Sequence, residues 1–277
     1  MDYILLIIFG LVQGLTEFIP VSSSGHLIVL HEFFDFKFAD SLSFDIILHA
    51  GTLLALVIYF FKDIIHYLKA FFKSFQKFDL KNSPNQRIAW FIFIATLPAI
   101  LFGYFLEDQI ESVFRSPLLV ALTLFLGGGL FIVFEKISQK LKNLEELTFT
   151  SSLIIGFFQV LALVPGVSRS GITILGGLSQ KLKREQAARF AFLLAIPVTF
   201  GAVVKRAGSL FTGEINSGDW LILFIGFFAA FISGYLVIKF LLSFLKSHSL
   251  NAFAYYRFGL AAVIILYFYL INNCLVS

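Results

Sequence analysis

Charge is scarce in this chain: Asp, Glu, Lys and Arg make up 14% of its 277 residues, against about 25% in an ordinary soluble domain. That shortage rules out a fully solvated surface. Cysteine is scarcer still. Cys274 stands alone, so no intrachain disulfide can form, and a single thiol in an apolar stretch is a poor candidate for thiolate chemistry. The sequence also lacks low-complexity tracts and flexible linkers, and no nucleic-acid partner is expected. With neither a basic n-region nor a small-residue cleavage site at the start, the first segment is expected to be retained.

What is present is apolar. Hydrophobic residues reach 58%, with 37 phenylalanines, and they fall in long blocks separated by short charged loops. The expected architecture is an all-α polytopic membrane protein forming one membrane-embedded domain over 1–277. Six blocks are long enough to span as helices, roughly 43–62, 86–106, 117–135, 186–205, 219–242 and 253–272. Two others are broken. The block 3–33 is interrupted after Pro20 by a serine run, and 150–180 by PGVSRSG. Each offers an apolar piece of about 15 residues followed by a shorter one, which suits a re-entrant helical hairpin; a continuous kinked span is the alternative.

Basic residues concentrate in 62–87, 135–149, 181–189 and 239–257, which the positive-inside rule assigns to the cytoplasm. The segments 31–45, 106–116 and 206–218 then lie outside. On this count Glu17 and Arg169 are the only formal charges left inside membrane-embedded segments, one at each break.

The two broken blocks superimpose when the chain is slid by 146 residues. Gly10 falls on Gly156, Gln13 on Gln159, Val21 on Val167, Ser22 on Ser168, Ser24 on Ser170 and Gly25 on Gly171. The shared pattern is GxxQ, seven residues, then VSxSG. Each half, about 3–135 and 150–272, is a hairpin followed by three spans. Three is odd, so the second copy is inserted upside down, an inverted-topology repeat. The breaks should meet near the midplane and bring Glu17 to Arg169.

A charge in hydrocarbon is costly and marks a pair, a cavity or a function. A plain structural salt bridge is one reading of Glu17 and Arg169, but Ser22, Ser23, Ser24, His26, Ser168, Ser170 and Thr173 supply far more polar groups than one pair needs. Half-helices starting after Pro20 and Pro165 would point unsatisfied N–H groups and positive dipole ends into the shared space. With an Arg between two serines, that favours an anion, most naturally a phosphate. N-capping is the commoner job for Ser22 and Ser168. Gln13 and Glu17, four apart on one helix face, could contribute part of a Mg²⁺ or Ca²⁺ site. Ser23 and His26 have the spacing of a nucleophile and an adjacent base. His49, in FDIILHAGT, reads as a packed span histidine.

The stretches QGLTEFIPVSSSGH and PGVSRSGIT together resemble the undecaprenyl-diphosphate phosphatase family, also called the bacitracin-resistance protein family. Its (E/Q)xxxE helix running into PVSSxGH and its PGxSRSxxT turn are both present in full, and the resemblance covers essentially the whole chain. It implies a bacterial inner-membrane enzyme, open to the outer face, that removes the terminal phosphate of undecaprenyl diphosphate and so returns the lipid carrier to cell-wall synthesis. It further implies that Gln13 and Glu17 serve a divalent cation and the diphosphate, Ser23 the nucleophile, His26 a base or acid, and Arg169 the diphosphate clamp, with Ser168, Ser170 and Thr173 beside it. Many family members have Glu where this chain has Gln13, which weakens the cation assignment.

The rival reading from residues alone is a secondary transporter or lipid flippase with a midplane anion site. The Ser-x-x-His beside an Arg is what transport does not need. A homodimer is compatible with the glycine runs Gly127 to Gly129 and Gly176 to Gly177, although intramolecular packing is their commoner use.

Overall fold

The computed structural model of the chain describes residues 3–34, 42–114, 116–212 and 219–276. Among them there are eleven α-helices and no strand. The first broken block forms α1 (Tyr3–Phe18) and α2 (Ser23–Phe33); the second forms α7 (Phe149–Val160), a short 3₁₀ turn over Leu161–Leu163, and α8 (Arg169–Ser179). In both blocks the two helices pack on each other across the break. At 1.5 Å per residue, the 16 residues of α1 and the 12 of α7 reach about 24 and 18 Å. Neither covers the roughly 30 Å of a bilayer's hydrocarbon core.

The remaining helices are α3 (Leu42–Tyr59), α4 (Phe61–Ser74), α5 (Pro84–Phe114), α6 (Pro117–Ile137), α9 (Arg184–Thr212), α10 (Asp219–Phe244) and α11 (Asn251–Val276). Five of them, α5, α6, α9, α10 and α11, are long and apolar enough to cross a membrane. The sixth candidate is α3 taken with α4, two helices bent by 76° at Phe60. The stretch after residue 61, expected to be loop, is therefore helical. Its lysines masked a helical apolar stripe.

The halves interleave. Helix α1 packs along α10, and its counterpart α7 packs along α5, so each hairpin leans on the second span of the other half; α3 meets α9, and α6 meets α11. Close approach at two repeat-related glycines makes the exchange workable. A Cβ on Gly10 would lie 2.6 Å from Ala229 Cβ, and one on Gly156 would lie 2.5 Å from the Ala95 carbonyl oxygen. The main core cluster includes Phe18, Phe60, Phe131, Phe190 and Phe192, while many other phenylalanines, such as Phe93, Phe125, Phe200 and Phe224, face outward. Within the glycine runs, Gly128 packs against Phe258, Gly176 against Phe158 and Gly177 against Ala187, while a Cβ on Gly129 would meet open space.

Candidate active site

Both breaks are built alike. Ser22 and Ser168 cap α2 and α8, each with its hydroxyl oxygen accepting the backbone N–H three residues on, from Gly25 and Gly171. Both sit at φ 74°. A non-glycine residue in the left-handed region costs on the order of 1–3 kcal/mol and persists only where its surroundings fix it. Ser22 and Ser24 hydroxyls lie 3.1 Å apart and Ser168 and Ser170 hydroxyls 3.2 Å apart. The capping job is therefore real, and it turns the chain sharply enough to aim the next residue, Ser23 or Arg169, away from its own capping serine.

Those next residues converge. Arg169 Nη2 donates to Glu17 Oε1, and its Nη1 donates to the Thr199 hydroxyl. Ser23 donates to Glu17 Oε2 at 2.6 Å, and Gln13 Nε2 donates to the same oxygen at 3.1 Å. The Glu17 side chain is 6% exposed and that of Arg169 21%. The carboxylate thus holds a hydroxyl, an amide and a guanidinium from two hairpins at once. The Ser24 hydroxyl also receives the Gly166 N–H at 3.3 Å, which ties the first break to the second.

These groups open into a cavity of about 310 Å³ lined by Glu17, Ser22, Ser23, Ser24, Ser168 and Arg169 from the two breaks. Gln13 supports Glu17 from behind. His26, Ser170 and Thr173 do not line the cavity. The His26 ring is stacked on Tyr256, with centroids 5.6 Å apart. Its Nδ1 lies 2.7 Å from the Ser22 carbonyl, which can only accept, so Nδ1 carries the proton and the neutral ring's Nε2 accepts from the Tyr256 hydroxyl at 2.7 Å. The ring expected to serve Ser23 is occupied at both nitrogens.

Sequence reasoning missed other members of the cavity wall. His49 lines it, with Nε2 4.0 Å from Glu17 Oε2 and Nδ1 fixed on the Asp45 carbonyl at 2.8 Å. Thr199, Asp45, Arg206 and Gln159 line it too. Gln159 is the repeat mate of Gln13; it is 2% exposed, and neither polar atom of its amide has a hydrogen-bond partner. The 146-residue register was the signal that could have found it.

A second correction concerns charge. Arg257 counted as a loop cation, but it lies on α11 and is 0% exposed. Its guanidinium spans both breaks. It donates to Pro20 O at 3.4 Å, Val167 O at 3.0 Å, Gly166 O at 3.0 Å, Thr123 O at 3.2 Å and Leu124 O at 3.1 Å. Position near a helix start made it look solvated, and nothing in its neighbours' identities reveals a cradle of main-chain carbonyls. Glu135, at the edge of the expected 135–149 loop, is likewise buried at 9% exposure and held by Arg184.

For a divalent cation the donor set is small. No group of three His, Cys, Asp or Glu side chains able to hold a metal occurs among the described residues. Gln13 Oε1, however, is buried beside Glu17 without a hydrogen-bond partner, an oxygen of the hard type such ions take.

Residues 6–263 match the family model described as bacitracin resistance protein BacA. Among similar proteins, the undecaprenyl-diphosphatase of Rubrobacter xylanophilus is 43% identical over 93% of this chain and 95% of its own length. That of Moorella thermoacetica is 41% identical over 95% and 97%, and that of Methanobrevibacter smithii 41% identical over 92% and 94%.

Proposed function

The chain belongs to the bacitracin resistance protein BacA family, and from that membership and the convergence of Ser23, Glu17 and Arg169 we infer its reaction. It is an integral-membrane phosphatase that hydrolyses undecaprenyl diphosphate to undecaprenyl phosphate and phosphate. The product is the lipid carrier of cell-wall synthesis, and restoring it confers resistance to bacitracin. The carrying observation is the 2.6 Å hydrogen bond from the Ser23 hydroxyl to a carboxylate that is itself locked to Arg169. A transporter needs an anion site, but not a hydroxyl held on a proton acceptor within it.

In the proposed mechanism the Ser23 oxygen attacks the terminal phosphorus while its proton passes to Glu17. The bond to the bridging oxygen breaks, and undecaprenyl phosphate leaves with that oxygen. Water then cleaves the phosphoserine and releases phosphate. Arg169 and the N-termini of α2 and α8 stabilise charge on the equatorial oxygens. His49, whose Nε2 faces Glu17, takes the proton-managing role that the sequence suggested for His26. Ser22, Ser24 and Ser168 orient the head group from the cavity wall, whereas Ser170 and Thr173 act from behind it. Glu17 and Gln13 Oε1 would hold a divalent cation, Mg²⁺ or Ca²⁺, supplying further neutralisation of the phosphoryl group.

The cavity is at the small end of ligand pockets, roughly 300–1,000 Å³, which suits a diphosphate whose prenyl tail stays in lipid. Its wall includes Asp45 and Ile46 at the start of α3 and Val203 and Arg206 near the end of α9. Those ends adjoin the segments assigned outside, which supports a site open to the outer face of the inner membrane. The test is phosphate release from C15 and C55 prenyl diphosphates by detergent-solubilised protein, with and without EDTA. Release lost on Ser23→Ala supports the reading; no release under any metal condition would return the field to transport.

A further inference from the structure

Helix α4 takes no part in the cavity, and its construction points elsewhere. At 3.6 residues per turn, Phe61, Ile65, Leu68, Phe72 and the C-cap Phe75 fall within an arc of about 80°. All five are exposed, from 36 to 68%. Lys62, His66, Lys69 and Lys73 occupy a neighbouring arc of about 60° and are exposed as well. The opposite side is fixed to the protein. Trp90 of α5 donates to the Ser74 hydroxyl at 3.0 Å and lies 4.8 Å from the Phe71 ring, Ile64 and Tyr67 pack against the core, and Asp63, the acidic residue of the helix, is 2.6 Å from Arg189 of α9.

We propose that α4 is an interfacial helix, lying along the cytoplasmic membrane surface with its phenylalanine ridge among acyl chains and Lys62, Lys69 and Lys73 on anionic phospholipid head groups. Three observations support this. The helix joins the end of α3 to the start of the span α5, so both of its ends are held at one membrane face. It turns 76° from α3 at Phe60, which lays it across the spans instead of along them. Finally, the one carboxylate of α4 is engaged by Arg189, leaving its outward charge wholly basic, and in the following loop Lys77 and Lys81 outnumber Asp79. An apolar ridge flanked by lysines is what an interfacial helix needs, and basic residues near an anionic leaflet draw its lipids.

The test uses the full chain in nanodiscs and leaves the catalytic residues alone, so its failure does not bear on the phosphatase reading. In a Cys274→Ser background, spin labels at Phe72→Cys and His66→Cys are compared for collision with oxygen and with an aqueous nickel chelate. Oxygen should dominate at 72 and nickel at 66. In parallel, the Lys62→Gln, Lys69→Gln, Lys73→Gln triple variant should retain less anionic phospholipid through purification than the unaltered chain, by about fivefold per lysine at most, with zwitterionic lipid unchanged. Nickel access at 72 overturns the interfacial placement. Shielding of 72 from both reagents overturns it in favour of contact with a second copy, and equal lipid retention overturns the head-group assignment.

Discussion

Glu17 and Arg169, 152 residues apart in sequence, form a partly buried ion pair, with Glu17 the enclosed partner, that runs from one helix break to the other. Removing one partner leaves an uncompensated charge, at a cost of up to about 3–5 kcal/mol for a fully buried pair and less where one side chain faces a cavity. Glu17→Gln and Arg169→Gln should each lower the melting temperature in detergent and abolish phosphate release. The double variant, which carries no stranded charge, should melt above the level predicted by adding the two single losses. Strict additivity in that cycle would show that the two charges do not stabilise one another.

Ser23 separates chemistry from stability. Its side chain makes one hydrogen bond, to Glu17, so Ser23→Ala should change stability by only about 1 kcal/mol. The same change should lower kcat on the order of 10³-fold or more if the hydroxyl is the nucleophile. Steady-state kinetics on a prenyl diphosphate, beside a melting curve, measures both. A variant that keeps most of its activity would transfer the attack to an activated water.

The two histidines give opposite expectations. His26 shares one contact with Tyr256, so His26→Gln and Tyr256→Phe should have similar, modest effects on kcat. His49→Gln, which removes the ring facing Glu17, should cost about 10²-fold or more and flatten the pH dependence of kcat. A large loss confined to His26→Gln would restore that residue as the proton carrier.

The structure surrounds these histidines differently from what the sequence suggested, for a physical reason. The breaks themselves were legible, because proline, serine and glycine in an apolar block have no other use there, and the repeat register paired Ser22 with Ser168 down to their φ angles. Ser-x-x-His spacing fixes only that two side chains leave a helix on the same side. It does not reveal that α11 presents Tyr256 to His26, or that α3 turns His49 inward. Helix α4 was hidden for a related reason: charge density was read as loop, although the charges fill one arc and leave another apolar. Partners on distant helices decide such cases, and a single chain read in order does not display them.

Gln159 should decouple affinity from stability. Its amide is buried with neither polar atom hydrogen-bonded, and each such group costs about 1–3 kcal/mol. Gln159→Leu keeps the approximate volume, so the variant should melt at or above the temperature of the unaltered chain. If the amide contacts the diphosphate, KM should rise several-fold with kcat little changed. An unaltered KM would make Gln159 part of the packing alone.

Arg257 carries the most demanding prediction. A guanidinium has five N–H donors, and the five contacts of Arg257 go to carbonyls of the first break, the second break and α6. Lysine has three donors. Arg257→Lys therefore keeps the charge but strands at least two carbonyls, at about 1–3 kcal/mol each. Because those carbonyls belong to Pro20, Gly166 and Val167 as well as to α6, the loss should loosen the register between Ser23 on one hairpin and Arg169 on the other. The expected signature is a fall in kcat per folded molecule, with KM less affected. Gly127→Ala provides an independent perturbation, since its Cβ would sit 2.2 Å from Arg257 Nη2 and must displace the guanidinium without altering it. Both variants should lose activity beyond what their melting curves explain. Should either one, normalised to its folded fraction, turn over like the unaltered chain, Arg257 would be a structural residue with no hold on the geometry of the site.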